Sequence, residues 1–282
     1  RPMAEEVKGY YPLFGPVSLA LLMGSRPIWE HDVYYEPCID DIGSADLPEW
    51  DDDNHYWLMH LELLWNAKKV LGSDVRIGFP AFGDVLDVLA SLRCSQGLVY
   101  YLIDQPDACH RHLRRIQAFR SIAGRATYEI VKDEDGDSYE WGLVGPGHVA
   151  QMQCDFAAVM NPELFSEYVT PYVREQVKVY DSTFWHLDGI EMLKYVDQLL
   201  AVEELNAIQW DPSEGTPDVW DEQWIPFYKR VLDAGKSLYL LGPFSSRSRD
   251  IVRALGKRGM AFCYFGATGD EEYEVIRDSH NW

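Results

Sequence analysis

The chain has 282 residues, 47% hydrophobic and 13% aromatic, which is enough to fill a sizeable core and argues against a disordered chain. Its 25 basic residues against 46 acidic ones leave a net charge of −21, which argues against nucleic acid or an anionic membrane as partner, because either needs a basic footprint. The five cysteines are scattered and form no Cys-x-x-Cys pair, so a zinc finger or disulfide framework is excluded and a reducing compartment is expected. No apolar run approaches the ~18 residues of a membrane helix and no signal peptide is visible, so a cytoplasmic location is expected. The sequence opens Arg1-Pro2-Met3, and an N-terminal segment is expected to precede it.

Residues 1–55 read as irregular, with acidic clusters at 36–41 and 51–53. Asp53 or Asn54 is placed to cap a helix carrying Leu58, Leu61, Leu64, Trp65 and Val70, which Gly72 ends. Residues 75–79 are strand-like, and 80–84 form a strand-to-helix loop ahead of a helix over 85–92. The next helix, 106–122, carries Arg111, Arg114, Arg115 and Arg120, with Arg125 beyond; spread over every face, they are expected to be solvated. His31, His55, His60, His110 and His112 lie in acidic or helical surroundings and are likewise expected at the surface. Residues 132–138 resemble part of a calcium loop, but Val144 stands where the bidentate acid belongs, so the segment is a polar turn.

A strand over 149–156 brings Cys154 and Asp155 to its end, and Asn161-Pro162-Glu163 opens a helix reaching about residue 178. Strands at 207–210, 237–241 and 260–265 then alternate with helices at 222–234, 246–255 and from 270. Such a rhythm implies parallel strands with right-handed crossovers. Neither G-x-G-x-x-G nor a phosphate loop follows any strand.

The stretch Trp185-His186-Leu187-Asp188-Gly189 stands where an apolar run turns toward a helical pattern at Ile190, Leu193, Val196 and Leu199. It sets a histidine and an aspartate two apart at a strand end, where α/β proteins bind ligands. His186 could move a proton or bind a metal, with Asp188 orienting it; alternatively they are a paired histidine and a helix cap. Trp185, Trp210, Trp220, Trp224 and Tyr239 cluster around the neighbouring strand ends, where they would line a cleft or belong to the core.

The order of 149–156, then Asn161-Pro162-Glu163-Leu164-Phe165 with Pro171-Tyr172, then 185–189 and Leu205-Asn206-Ala207-Ile208-Gln209-Trp210, resembles the uroporphyrinogen decarboxylase superfamily. Gly78-Phe79-Pro80 and Asp104-Gln105-Pro106-Asp107 fit the same plan, so the resemblance covers roughly 12–282. It implies an α/β fold, a (β/α)8 barrel of the TIM type formed as one domain over 1–282, with the cleft at the C-terminal strand ends and an N-terminal segment missing.

The resemblance also frames the function. The decarboxylase's N-terminal arginine motif has no counterpart, and a chain at −21 is a poor host for a tetrapyrrole with many carboxylates. The related methyltransferases hold zinc with a His-x-Cys motif and a later cysteine; here His186 matches, Asp188 replaces the first cysteine and Cys263 is the candidate for the second. The leading expectation is therefore methyl transfer from a small methylated substrate to a thiol or a corrinoid protein. His186, Asp188 and Cys263 would hold zinc, Asp155 would join the catalysis, and Gln209, Trp185, Trp210, His148 and Tyr239 would bind substrate. The alternatives are a cofactor-free decarboxylase or other lyase using Asp155, Asp188 and His186, and a small-molecule-binding barrel without chemistry. Cys154 is a candidate nucleophile that lacks an adjacent base in sequence, and the resemblance admits a homodimer.

Overall fold

The computed structural model describes residues 7–12, 14–31, 33–243, 245–256 and 258–265, with Phe265 described through its backbone. The helix expected from Asp270 lies outside these residues. The chain divides into two compact units, one spanning Lys8–Ser182 and one built on the residues from Thr183 onward.

In the first unit, β1 (Gly9–Tyr10), α1 (Leu19–Leu22) and an antiparallel pair, β2 (Pro27–Trp29) with β3 (Val33–Tyr35), occupy the stretch expected to be irregular. Helix α2 (His55–Leu71) starts where the capping pattern places it: the Asn54 side chain accepts the N–H groups of Tyr56 and Trp57. Strand β4 (Arg76–Ile77) pairs in parallel with β1, and a loop then leads to α3 (Val85–Arg93), whose first N–H is accepted by Asp84. Helix α4 (Ser95–Asp104) precedes α5 (Pro106–Val131), which continues past the expected end. Strands β5 (Ser138–Glu140) and β6 (Leu143–Gly145) form a hairpin whose two turn residues, Trp141 and Gly142, both have positive φ (45° and 82°). That is the backbone a two-residue hairpin requires.

Strand β7 (Val149–Met152) runs into a single 3-10 turn over Asp155–Val159. The one helix expected after Asn161 is two, α6 (Pro162–Tyr168) and α7 (Thr170–Gln176). Pro171 has no N–H to continue the first ladder, and the chain steps at Val169.

The second unit is a strand–helix repeat: β8 (Ser182–Asp188), α8 (Val196–Leu200), β9 (Ala207–Asp211), α9 (Ile225–Asp233), β10 (Ser237–Pro243), α10 (Ser248–Leu255) and β11 (Met260–Phe265). Strands β8 to β11 lie side by side in chain order, all parallel, as expected from the sequence. Successive side chains on a strand point to opposite faces, so the register sorts the residues. His186, Gln209 and Tyr239 form one row across β8, β9 and β10. Trp185 and Trp210 belong to the other face, where the Trp210 ring packs edge-on against Trp224 and Phe227 at the start of α9 (5.1 and 5.2 Å between centroids).

Among the described residues, no helix is long and apolar enough to cross a membrane.

Candidate functional site

A cavity within the first unit is walled by the loop after β4, the end of β5, strand β7 and helices α3 and α5. Phe79, Pro80 and Phe82 supply apolar surface, and Asp87, Arg120, Glu140 and Asp155 supply ionisable groups. Each arrives from a different element. Glu140 is the last residue of β5 before the hairpin turn; Asp87 sits in the first turn of α3; Asp155 opens the 3-10 turn after β7; Arg120 lies midway along α5.

Glu140 is buried, and its carboxyl accepts a single hydrogen bond, from the Phe79 N–H to Oε2 at 3.3 Å. Burial pushes its pKa up to about 8, against the opposing pull of that N–H and of the Arg120 charge. A carboxylic acid protonated at neutral pH therefore faces the cavity. Asp87 is also raised, by burial and then by the charge of Asp155, although it accepts the N–H groups of Asp155 (3.0 Å) and Phe156 (2.8 Å).

Arg120 lines the cavity and bonds the neighbouring backbone. Its Nη1 donates to Gly83 O (2.6 Å), its Nη2 donates to Gln151 O (3.0 Å), and Asp84 lies 3.9 Å away. Its Nε, sealed from solvent, has no partner among the described residues. Asp84 in turn accepts from the Gln153 N–H and from Gln176 Nε2. This cluster ties the loop after β4 to the end of β7.

His148 is in the cavity wall, stacked between Phe79 (4.7 Å) and Tyr128 (4.9 Å), with Tyr180 edge-on. Burial first, and the Arg120 charge second, push its pKa down to about 4, so the ring is neutral at pH 7. Gly147 (φ 72°) makes the approach feasible: a Cβ there would lie 2.3 Å from the Asp181 carboxylate, which accepts the His148 N–H.

In the second unit, His186 Nδ1 is hydrogen-bonded to Gln209 Oε1, whose amide nitrogen donates to Trp210 O (3.2 Å). Gln209 Oε1 can only accept, so Nδ1 is the donor of this bond. Asp188 is exposed, with Ser213 Oγ at 3.5 Å. Cys263 interacts with Tyr239, and burial raises its thiol pKa.

Cys263 lies on β11, the third strand over from β8. Among the described residues no three His, Cys, Asp or Glu side chains gather as a metal site would require. Trp185 and Trp210 are buried on the face opposite His186, which places them in the core and not in a cleft shared with it. Asp155 and His148 do line a cavity, whereas Gln209 and Tyr239 are buried in the His186 row. Cys154 is buried, and burial with the nearby aspartates raises its thiol well above the ordinary range, which suits an inert side chain.

Three residues read as surface are inside. Arg120 is in the cavity wall, His60 bonds Thr127 Oγ1 (3.0 Å), and His112 bonds Ile42 O (2.9 Å). Glu140 and Asp87 were not singled out by sequence. The signals for them are an acid between Tyr139 and Trp141, and an acid inside the apolar run of α3.

No sequence family and no curated protein matches the chain. Among solved structures, a methyltransferase from Methanosarcina mazei is similar, with a TM-score of 0.68 at 14% identity over 98% of this chain and 81% of that one. At that identity the likeness concerns the fold, and the chain is an α/β protein of that kind.

Proposed function

We propose that this chain is an enzyme that moves a methyl group from a small methylated substrate to a thiol, with Glu140 giving a proton to the departing group. The observation that carries the reading is the buried Glu140 carboxyl, bonded on one oxygen, facing a cavity and protonated at neutral pH. A general acid works best when its pKa lies near the working pH. The fold similarity to a methyltransferase supports the choice of reaction, as does the sequence resemblance, whose (β/α)8 plan is part of this proposal. Zinc is not part of it, since among the described residues no three His, Cys, Asp or Glu side chains gather as a metal site would require. A corrinoid-bearing protein is the other acceptor the resemblance implies.

The test offers purified protein a panel of isotopically labelled methyl donors with a small thiol, and looks for the labelled methyl thioether by mass spectrometry. Product that falls about 10²-fold or more in Glu140→Gln supports the reading, since that is the usual worth of a positioned acid. Carbon dioxide released from small carboxylic acids, without thioether, would replace it with the lyase. Ligand binding with neither product would leave a binding protein.

A further inference from the structure

We propose that the groove between α5 and the loop ahead of α2 binds a small phosphate ester, held by Arg111, Arg114 and Arg115. It is a second site, independent of the methyl-transfer reading, and it shares no lining residue with the cavity.

The sequence sets up the charge. Between Asp107 and Glu129, α5 carries five arginines, two histidines and no acid, in a chain with 46 acidic and 25 basic residues. Arg114 and Arg115 follow Arg111 by three and four residues, which sets all three on one side of the helix within reach of one another. Ala118, the next position on that side, is short and leaves space above it.

The loop then folds onto this side. Arg111 Nη2 donates to Ile42 O (3.4 Å) and Gly43 O (3.2 Å), His112 Nε2 donates to Ile42 O (2.9 Å), and Arg115 Nη1 pairs with Glu49. These bonds fix the loop against the helix around a groove of about 310 Å³, to which the loop contributes Asp46 and Leu47. That volume is at the lower end for small-molecule sites.

The same bonds leave donors over. A guanidinium carries five N–H groups. Arg111 keeps Nη1 and Nε, Arg115 keeps Nη2 and Nε, and the exposed Arg114 makes no hydrogen bond or ion pair among the described residues. Against the three cations stand Asp46 in the groove and Glu49 on Arg115, so a positive charge remains within a strongly acidic chain. A phosphate ester offers three acceptor oxygens to three separate guanidinium forks, whereas a carboxylate's two oxygens are filled by one.

The experiment titrates the whole chain with glycerol 3-phosphate by isothermal calorimetry in phosphate-free, low-salt buffer, with acetate and glycerol alongside. The expected result is saturable binding of glycerol 3-phosphate, acetate weaker by about ten-fold or more, and none of glycerol. Arg114→Gln should weaken the ester by about ten-fold or more, the worth of a charge-assisted hydrogen bond. Arg125→Gln, at an exposed arginine of α5 outside the groove, should leave binding unchanged. If Arg114→Gln fails to fold, Arg114→Lys takes its place, with weaker binding expected because the charge stays and the fork is lost. No saturable binding, an unchanged affinity in the Arg114 variant, an equal loss in Arg125→Gln, or acetate bound as tightly as the ester overturns the proposal. A glutamate-rich peptide that binds more tightly than the ester would make the groove a docking site for an acidic segment, and overturns it too.

Discussion

Asp87 on α3 accepts the backbone N–H groups of Asp155 and Phe156, one on each carboxylate oxygen, at 3.0 and 2.8 Å. One side chain thus fixes the first turn after β7, and with it the position of the Asp155 carboxylate. Asp87→Asn would turn an amide NH2 toward one of those donors. It is expected to cost about 1–3 kcal/mol, the range for leaving a buried polar group unpaired. Urea unfolding of the variant checks the loss, and a midpoint equal to that of wild type would contradict the role.

Arg120→Met leaves the carbonyls of Gly83 and Gln151 without their donor and Asp84 without its neighbouring charge. Removing one partner of a buried ion pair costs about 3–5 kcal/mol. Pairing it with Asp84→Asn should recover part of that loss, a non-additivity that a double-mutant cycle reads directly. Strict additivity would show that the two side chains act separately.

The pH dependence carries two opposing signs. Glu140 has a raised folded pKa, so its stabilising contribution is full below the ordinary value of 4.5 and is lost as pH rises toward and through about 8. Glu140→Gln should therefore gain in melting temperature relative to wild type as pH goes from 5 to 8.5. His60 and His148 are depressed to about 4, so their contribution is full above 6.5 and is lost as pH falls toward and through 4. His148→Phe, which keeps a ring between Phe79 and Tyr128, should resist acid better than wild type across that window. Parallel melting curves for wild type and either variant across its window would contradict the assignment.

The hydrogen bond from His186 to Gln209 predicts a single tautomer with the proton on Nδ1. Nitrogen-15 shifts of the imidazole should report it, and Gln209→Leu should shift the Nδ1 resonance. Trp210→Ala, by contrast, opens the core against Trp224 and Phe227 and should cost about 3–5 kcal/mol in chemical unfolding.

The second unit was largely legible in the sequence, because β8, β9 and β10 are each a short apolar run with a helix after it, and β11 is another such run. The helix caps at Asn54 and Asn161 were legible for the same local reason. The cavity was not. Arg120, Asp87 and Glu140 are brought together from α5, α3 and β5 across 20 to 53 residues of chain, and periodicity alone makes Arg120 one more polar residue on a long helix. The zinc expectation rested on matching motif positions, and motifs alone do not carry whether side chains gather as a metal site requires.

The account turns on Glu140 being a carboxylic acid at neutral pH. Carbon-13 NMR of protein labelled at the glutamate side-chain carboxyl, assigned through Glu140→Gln, measures this without any substrate. The account predicts one carboxyl that titrates with a midpoint near 8 and vanishes in the variant. A Glu140 midpoint near the ordinary 4.5 would mean that the cavity holds a carboxylate, and the proton donor of the proposed reaction would be gone.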